Sequence, residues 1–238
     1  MTNHDKNATG ATTRPHRLTR RSFVAGVGAM GALGVLGSFG LTGCAPSGDT
    51  AADGSGADEG ASESYDAVII GAGGAGLSAA IAAYDKGLTN IVILEKMAVN
   101  GGNTNFSSSG MNASETKFQK EQGIEDSNDL FAQETLDGGH NTGDPELVQF
   151  MCDNSAGAID WLDSLGIKLD NITLTGGMSV KRCHRPTDGS AVGLTLVPGL
   201  VAAAEERGIP TKMSCEAKEL VKDGDAVTGV KVDLDGKD

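Results

Sequence analysis

Hydrophobic positions fall along this chain in three textures. Residues 22–41, SFVAGVGAMGALGVLGSFGL, are uncharged and hold six glycines. Residues 45–64, APSGDTAADGSGADEGASES, carry no large apolar group. Nothing there offsets the entropy of ordering, so residues 44–64 read as a flexible acidic linker. From Tyr65 the pattern is that of an α/β protein. AVII at 67–70 and IVIL at 91–94 are short β-branched runs of the kind that form buried strands. Between them Leu77, Ala80, Ile81 and Tyr84 recur at helical spacing, and Gly87 suits the helix C-terminus.

Further on, residues 143–166, GDPELVQFMCDNSAGAIDWLDSLG, predict an amphipathic helix with Asp144 as N-cap and Pro145 as its first residue. Its apolar stripe is read as Leu147, Phe150, Met151, Ala158, Trp161 and Leu162, with Met151 and Trp161 in the core. Residues 192–210, VGLTLVPGLVAAAEERGIP, predict a helix of one of two lengths. Either it spans the stretch and Pro198 perturbs it, or Pro198 opens a shorter helix running to Arg207. The remainder, to residue 238, reads as short strands with turns at Asp223-Gly224 and Asp235-Gly236.

Charge changes the picture at the start of the chain. Lys6, Arg14, Arg17, Arg20 and Arg21 outweigh Asp5 ahead of the uncharged run, and LTGC follows it. Basic, apolar and cleavage regions in that order are the plan of a secretory signal over residues 1–43. The stretch TRRSFVAG resembles a twin-arginine export signal, and LTGC resembles a bacterial lipobox with Cys44 as the lipidated residue. The expectation is a protein exported by the twin-arginine route and lipid-anchored to the membrane outside the cytoplasm. The whole chain carries −13, and the part after the leader −17. Such acidity argues against nucleic acid as a partner. The cysteines, at 44, 152, 183 and 215, include no C-x-x-C pair, so neither a zinc knuckle nor a C-x-x-C-H haem site is present. A disulfide among the last three is open.

The candidate chemistry begins at GAGGAG, which matches G-x-G-x-x-G at Gly71, Gly73 and Gly76. Gly71 makes the turn out of the strand, Gly73 lets backbone approach a pyrophosphate, and Gly76 permits close helix–strand packing. The helix N-terminus then faces the phosphates. Glu95 ends the second strand, 19 residues after Gly76, where its carboxylate can accept from ribose hydroxyls. Strand, glycine turn, helix, strand and acid together predict a dinucleotide site.

Residues 95–112, EKMAVNGGNTNFSSSGMN, resemble the flavin-binding stretch of the fumarate reductase/succinate dehydrogenase flavoprotein family, in particular its soluble flavocytochrome-type fumarate and urocanate reductases. The resemblance continues through NDL, DPELVQFMCDNSAGAIDWLDSLG and GGMSVKRCHRPTDGSAVG, to about residue 234. It implies a Rossmann-like FAD-binding domain of the GR2 type over 65–238, incomplete at its C-terminal side. It implies a non-covalent FAD, since GGNTNFSSSG lacks the histidine that membrane-bound relatives use for attachment. By the same resemblance Glu95, with Lys96 beside it, holds the adenosine ribose, and Ala75 lies in the phosphate turn. Gly102, Asn103, Thr104, Ser108, Ser109 and Gly110 line the pyrophosphate and isoalloxazine, and Ala217 passes the adenine. Ser109 and Thr175 face the substrate. Two positions depart from the family: Ser109-Gly110 replaces a Gly-Gly pair, and Thr175 stands where fumarate-reducing members have methionine.

The family's reaction is hydride transfer from the flavin to a C=C bond polarised by a carboxylate, and its arginine acid lies downstream of the part covered here. No catalytic residue and no metal ligand is therefore assigned. His184 is read as ordering a loop near the flavin, His140 as solvated, and Cys183 as an ordinary thiol. The expectation is the N-terminal part of a flavoenzyme that reduces a small α,β-unsaturated carboxylate with electrons from an external donor such as a cytochrome. A dehydrogenase of the ketosteroid type and a non-catalytic flavin-binding remnant are the alternatives.

Overall fold

The computed structural model describes residues 62–234. The predicted leader, Cys44 and the Asp235-Gly236 turn lie outside the described residues. Strand β1 (Ala67–Ile70), helix α1 (Gly74–Asp85) and strand β2 (Ile91–Leu94) form a β-α-β unit with parallel strands in register from Ala67–Ile91 to Ile70–Leu94. Strand β3 (Met111–Asn112), helices α2 (Lys117–Glu121), α3 (Asn128–Gly138) and α4 (Pro145–Ser164), strands β4 (Asn171–Thr173) and β5 (Cys183–Arg185), and helix α5 (Gly193–Glu206) follow. Strand β6 (Thr211–Lys212) then returns to pair parallel with β2, giving the order β1-β2-β6. Strands β7 (Cys215–Asp223) and β8 (Ala226–Leu234) close the described chain as an antiparallel hairpin.

One core lies between the parallel sheet and helices α1, α4 and α5, built on Leu77, Ile81, Ile91, Ile93, Ile159 and Leu200. The central strand β2 is buried along its whole length. Strand β1 is not the fully buried strand its sequence suggests. It is the edge of its sheet among the described residues, so Ala67 and Ile69 pack inward while Val68 and Ile70 are exposed.

Four helices end alike, on a glycine at positive φ followed by an apolar residue: Gly87-Leu88, Gly123-Ile124, Gly166-Ile167 and Gly208-Ile209. In each, the apolar residue's N–H bonds back to a carbonyl in the helix's last turn, as Leu88 does to Ala83, and its side chain joins the core. Asp144 caps α4 as the sequence predicts, accepting from Glu146 and Leu147 N–H. Helix α5 takes the longer of its two predicted lengths, with Pro198 inside it.

Two further expectations are corrected. Met151 is not core: Leu147, Phe150 and Met151 are exposed, and α4 instead buries Cys152, Ser155, Ile159 and Leu162. Trp161 is partly buried against the core. The C-terminal strands are nine residues each rather than short. Cys152, Cys183 and Cys215 are buried, and no disulfide joins any two of these three. No helix among the described residues is long and apolar enough to cross a membrane.

Candidate functional site

The turn between β1 and α1 shows why two of its glycines are there for different reasons. Gly71 sits at φ +99°, and a Cβ on Gly76 would lie 1.9 Å from the Gly71 carbonyl oxygen. The fold itself forbids a side chain at 76. Gly73 is unlike them. Its φ is −78°, open to any residue, and its Cβ would make only ordinary contacts, 3.6 Å to the Gly101 oxygen and 3.9 Å to Thr104 Oγ1. The fold tolerates a side chain at 73. What a methyl group there would fill is the space in front of the α1 N-terminus, where backbone N–H groups and the helix dipole favour an anion. Gly73 offers that N-terminus no side-chain cap.

Two neighbours fix the turn. Glu95, buried after β2, accepts from Ala72 N–H at 2.8 Å through Oε2 and from Met97 N–H at 2.9 Å through Oε1. Its carboxylate fastens the end of β2 to the glycine turn, and each oxygen keeps lone-pair capacity for a ribose hydroxyl. On the other side, Gly101 N–H donates to Ala72 O at 2.8 Å, and a 3₁₀ turn over Gly102–Phe106 leans on the α1 N-terminus. Thr104 Oγ1 accepts from Gly74 N–H at 3.1 Å and so serves as a cap from outside the helix.

The serine run continues from this frame. Ser107 O and Ser109 O accept from Gly193 and Val192 N–H, which seats the start of α5 on residues 107–109. Ser109 Oγ is 3.4 Å from Cys183 Sγ, and a Cβ on Gly110 would lie 2.3 Å from His184 O. The small sheet β3-β5-β4 therefore positions this end of the site. Its Met111–His184–Ile172 row packs into the interior, and the Asn112–Cys183–Thr173 row forms the other face.

The structure brings Gly71, Gly73, Ala75, Gly76, Glu95, Gly102, Asn103 and Thr104 around the two ends of one turn. Ser108, Ser109 and Gly110 continue along the sheet edge. Exposed Lys96 follows Glu95, and Ala217 is reached through β7, whose Cys215 N–H donates to Glu95 O at 2.9 Å. Thr175 lies two residues beyond Thr173, and its hydroxyl donates to Met178 Sδ at 3.1 Å. Among the described residues no cluster of His, Cys, Asp and Glu is placed to hold a metal.

Sequence reasoning missed the polar frame behind β5. His184 Nδ1 is 2.8 Å from Arg182 O and must donate to it. Nε2, 2.8 Å from Thr116 Oγ1, then accepts from the hydroxyl, which in turn accepts from Gln119 N–H. Burial pushes the His184 pKa down, so this neutral tautomer persists. The signal was present as T-x-x-Q at Thr116–Gln119, a capping box, which the structure forms in full. Beside it Arg182, 1% exposed, forks onto Asp126 and reaches Glu134 at 2.5 Å, tying β5 to the segment before α3.

Residues 66–238 match the family described as FAD binding domain. The chain is 50% identical over 183 residues to an NADH:fumarate oxidoreductase of Klebsiella pneumoniae, covering 77% of this chain and 20% of that protein. It is 35% identical over 187 residues to a urocanate reductase of Eggerthella lenta, 74% of this chain and 29% of that one. The open conformation of a flavocytochrome c3 fumarate reductase superposes with a TM-score of 0.70 at 37% identity, over 73% of this chain and 31% of that chain. This chain thus spans less than a third of the length of these relatives. The cradle left clear by Gly73, the α1 N-terminus without a cap from its own N-cap residue, and the Glu95 carboxylate fit a pyrophosphate joined to a ribose. The chain belongs to the FAD binding domain family, with a Rossmann-like α/β fold, and is similar to its fumarate reductase members.

Proposed function

We propose that this chain is the FAD-binding portion of an oxidoreductase that reduces the C=C bond of a small α,β-unsaturated carboxylate. The observation that carries the reading is the frame of Gly73, Glu95 and Thr104 around the α1 N-terminus, in a chain half identical to a fumarate-reducing relative. FAD, when bound, supplies the hydride. The chain's own residues bind and orient it: the α1 N-terminus takes the pyrophosphate, Glu95 the ribose, and the serine run the edge of the ring system, with Ala217 beside the adenine. Ser109 and Thr175 stand at the substrate end.

Binding is non-covalent in this reading. Residues 101–110 hold no histidine, and buried His184 has both ring nitrogens engaged. Electrons come from an external donor such as a cytochrome. The twin arginines and LTGC support export of the folded, flavin-loaded protein and lipid anchoring at Cys44.

The test uses protein expressed from its complete reading frame. Dithionite bleaches the bound flavin, and anaerobic addition of fumarate, urocanate or acrylate is expected to restore its colour with at least one acid. A flavin that stays bleached with all of them excludes this function.

A further inference from the structure

The serine run turns one kind of polar group outward. Two of its carbonyls are taken, Ser107 O by Gly193 N–H and Ser109 O by Val192 N–H. Among the described residues the Ser108 and Ser109 N–H groups donate to no backbone carbonyl. Both residues are exposed. This surface therefore offers donors, and it suits a ligand edge rich in acceptors.

Ser109 adds a hydroxyl, and Cys183 sets its direction. Cys183 is 1% exposed, and among the described residues its thiol has one hydrogen-bonding partner, Ser109 Oγ at 3.4 Å. A buried donor takes the acceptor within its reach, so the S–H points at Oγ. The hydroxyl's own hydrogen then lies on the exposed side, with the Ser108 and Ser109 N–H groups. The next residue leaves room for the pair: a Cβ on Gly110 would lie 2.8 Å from Cys183 Sγ and 2.3 Å from His184 O. Glycine is required at 110 and not at 109, whose backbone is not left-handed.

We propose that the Ser109 hydroxyl, positioned by the Cys183 thiol, donates to the acceptor edge of the isoalloxazine and raises the midpoint potential of the bound flavin. The inference rests on the placement of FAD in the function proposed above. A donor aimed at atoms that gain negative charge on reduction stabilises the reduced form more than the oxidised one. Ser109 touches the cofactor, and Cys183 acts through it as a positioning residue.

The experiment measures the flavin midpoint potential of the full-length protein by spectroelectrochemistry with no unsaturated acid present, and fumarate binding in parallel. Ser109→Ala is expected to lower the potential by about 20 mV, a fivefold shift of a two-electron equilibrium. Cys183→Ala is expected to lower it by less. The double variant is expected to match Ser109→Ala alone, since the thiol then has nothing to orient. If Ser109→Ala holds no flavin, Ser109→Gly decides. An unchanged potential overturns the proposal, and weakened fumarate binding beside it would place the hydroxyl on the substrate instead. A double variant whose shift is the sum of the two single shifts overturns the positioning role of Cys183. The expected shifts without reoxidation of reduced flavin by any acid refute the reductase reading and leave this pair standing. A wild-type protein that takes up no FAD refutes both.

Discussion

At the residue scale the site rests on a division of labour among glycines that look alike in sequence. Gly76 is demanded by the fold, and Gly76→Ala forces a methyl group to within 1.9 Å of the Gly71 oxygen. Overpacking against backbone costs about 3 kcal/mol, so a urea titration of this variant should show a matching loss of stability, with FAD binding lost alongside. Thr104 contributes a cap without belonging to the helix. Thr104→Val keeps the shape and removes the acceptor. It is expected to cost about 1 kcal/mol in the same titration, and Thr104→Ser to restore most of it. A Thr104→Val protein as stable as wild type would show that the bond contributes nothing.

At the element scale, what could be read in advance was what is local. The β1-α1-β2 unit, its glycine turn and Glu95 lie within 29 residues, so strand pattern, turn chemistry and acid spacing all refer to one another. Sheet β3-β5-β4 was not legible, because strands of two or three residues carry no periodicity and β3 pairs with β5 across more than 70 positions. The face of α4 was misread for a related reason. Its buried stripe includes Cys152 and Ser155, and Ser155 Oγ accepts from Ser114 N–H. Counting large apolar side chains therefore favoured the wrong side of the first three turns.

The same small sheet makes stability depend on pH. Burial lowers the His184 pKa in the folded state, while in the unfolded chain the imidazole titrates at about 6.5. As pH falls, the unfolded state takes up the proton first. The stability that neutral His184 contributes is therefore full above about 6.5 and lost below it. Glu134 and Asp170, whose pKa values hydrogen bonds to Ser179 and Thr187 hold down, act only below about pH 4.3. Between pH 7 and 5 the wild-type urea midpoint should fall more steeply than that of His184→Gln. Parallel profiles would remove His184 as the cause.

At the scale of the whole molecule, one parallel sheet and three helices present two features at the same rim: the α1 N-terminus and the serine run on the α5 N-terminus. In the proposed function the first takes the dinucleotide, and the second borders its ring system and the substrate end. Their connection is the 3₁₀ turn over Gly102–Phe106, which touches α1 through Thr104 and α5 through the close approach of Gly193 to Thr104 O. We infer that Gly73 is glycine for the ligand and not for the fold. Gly73→Ala in the full-length protein tests it most directly, by flavin content and FAD affinity beside thermal melting of the flavin-free form. The prediction is a melting temperature unchanged and an FAD affinity reduced tenfold or more, about 1.4 kcal/mol. Wild-type affinity in that variant would contradict the claim.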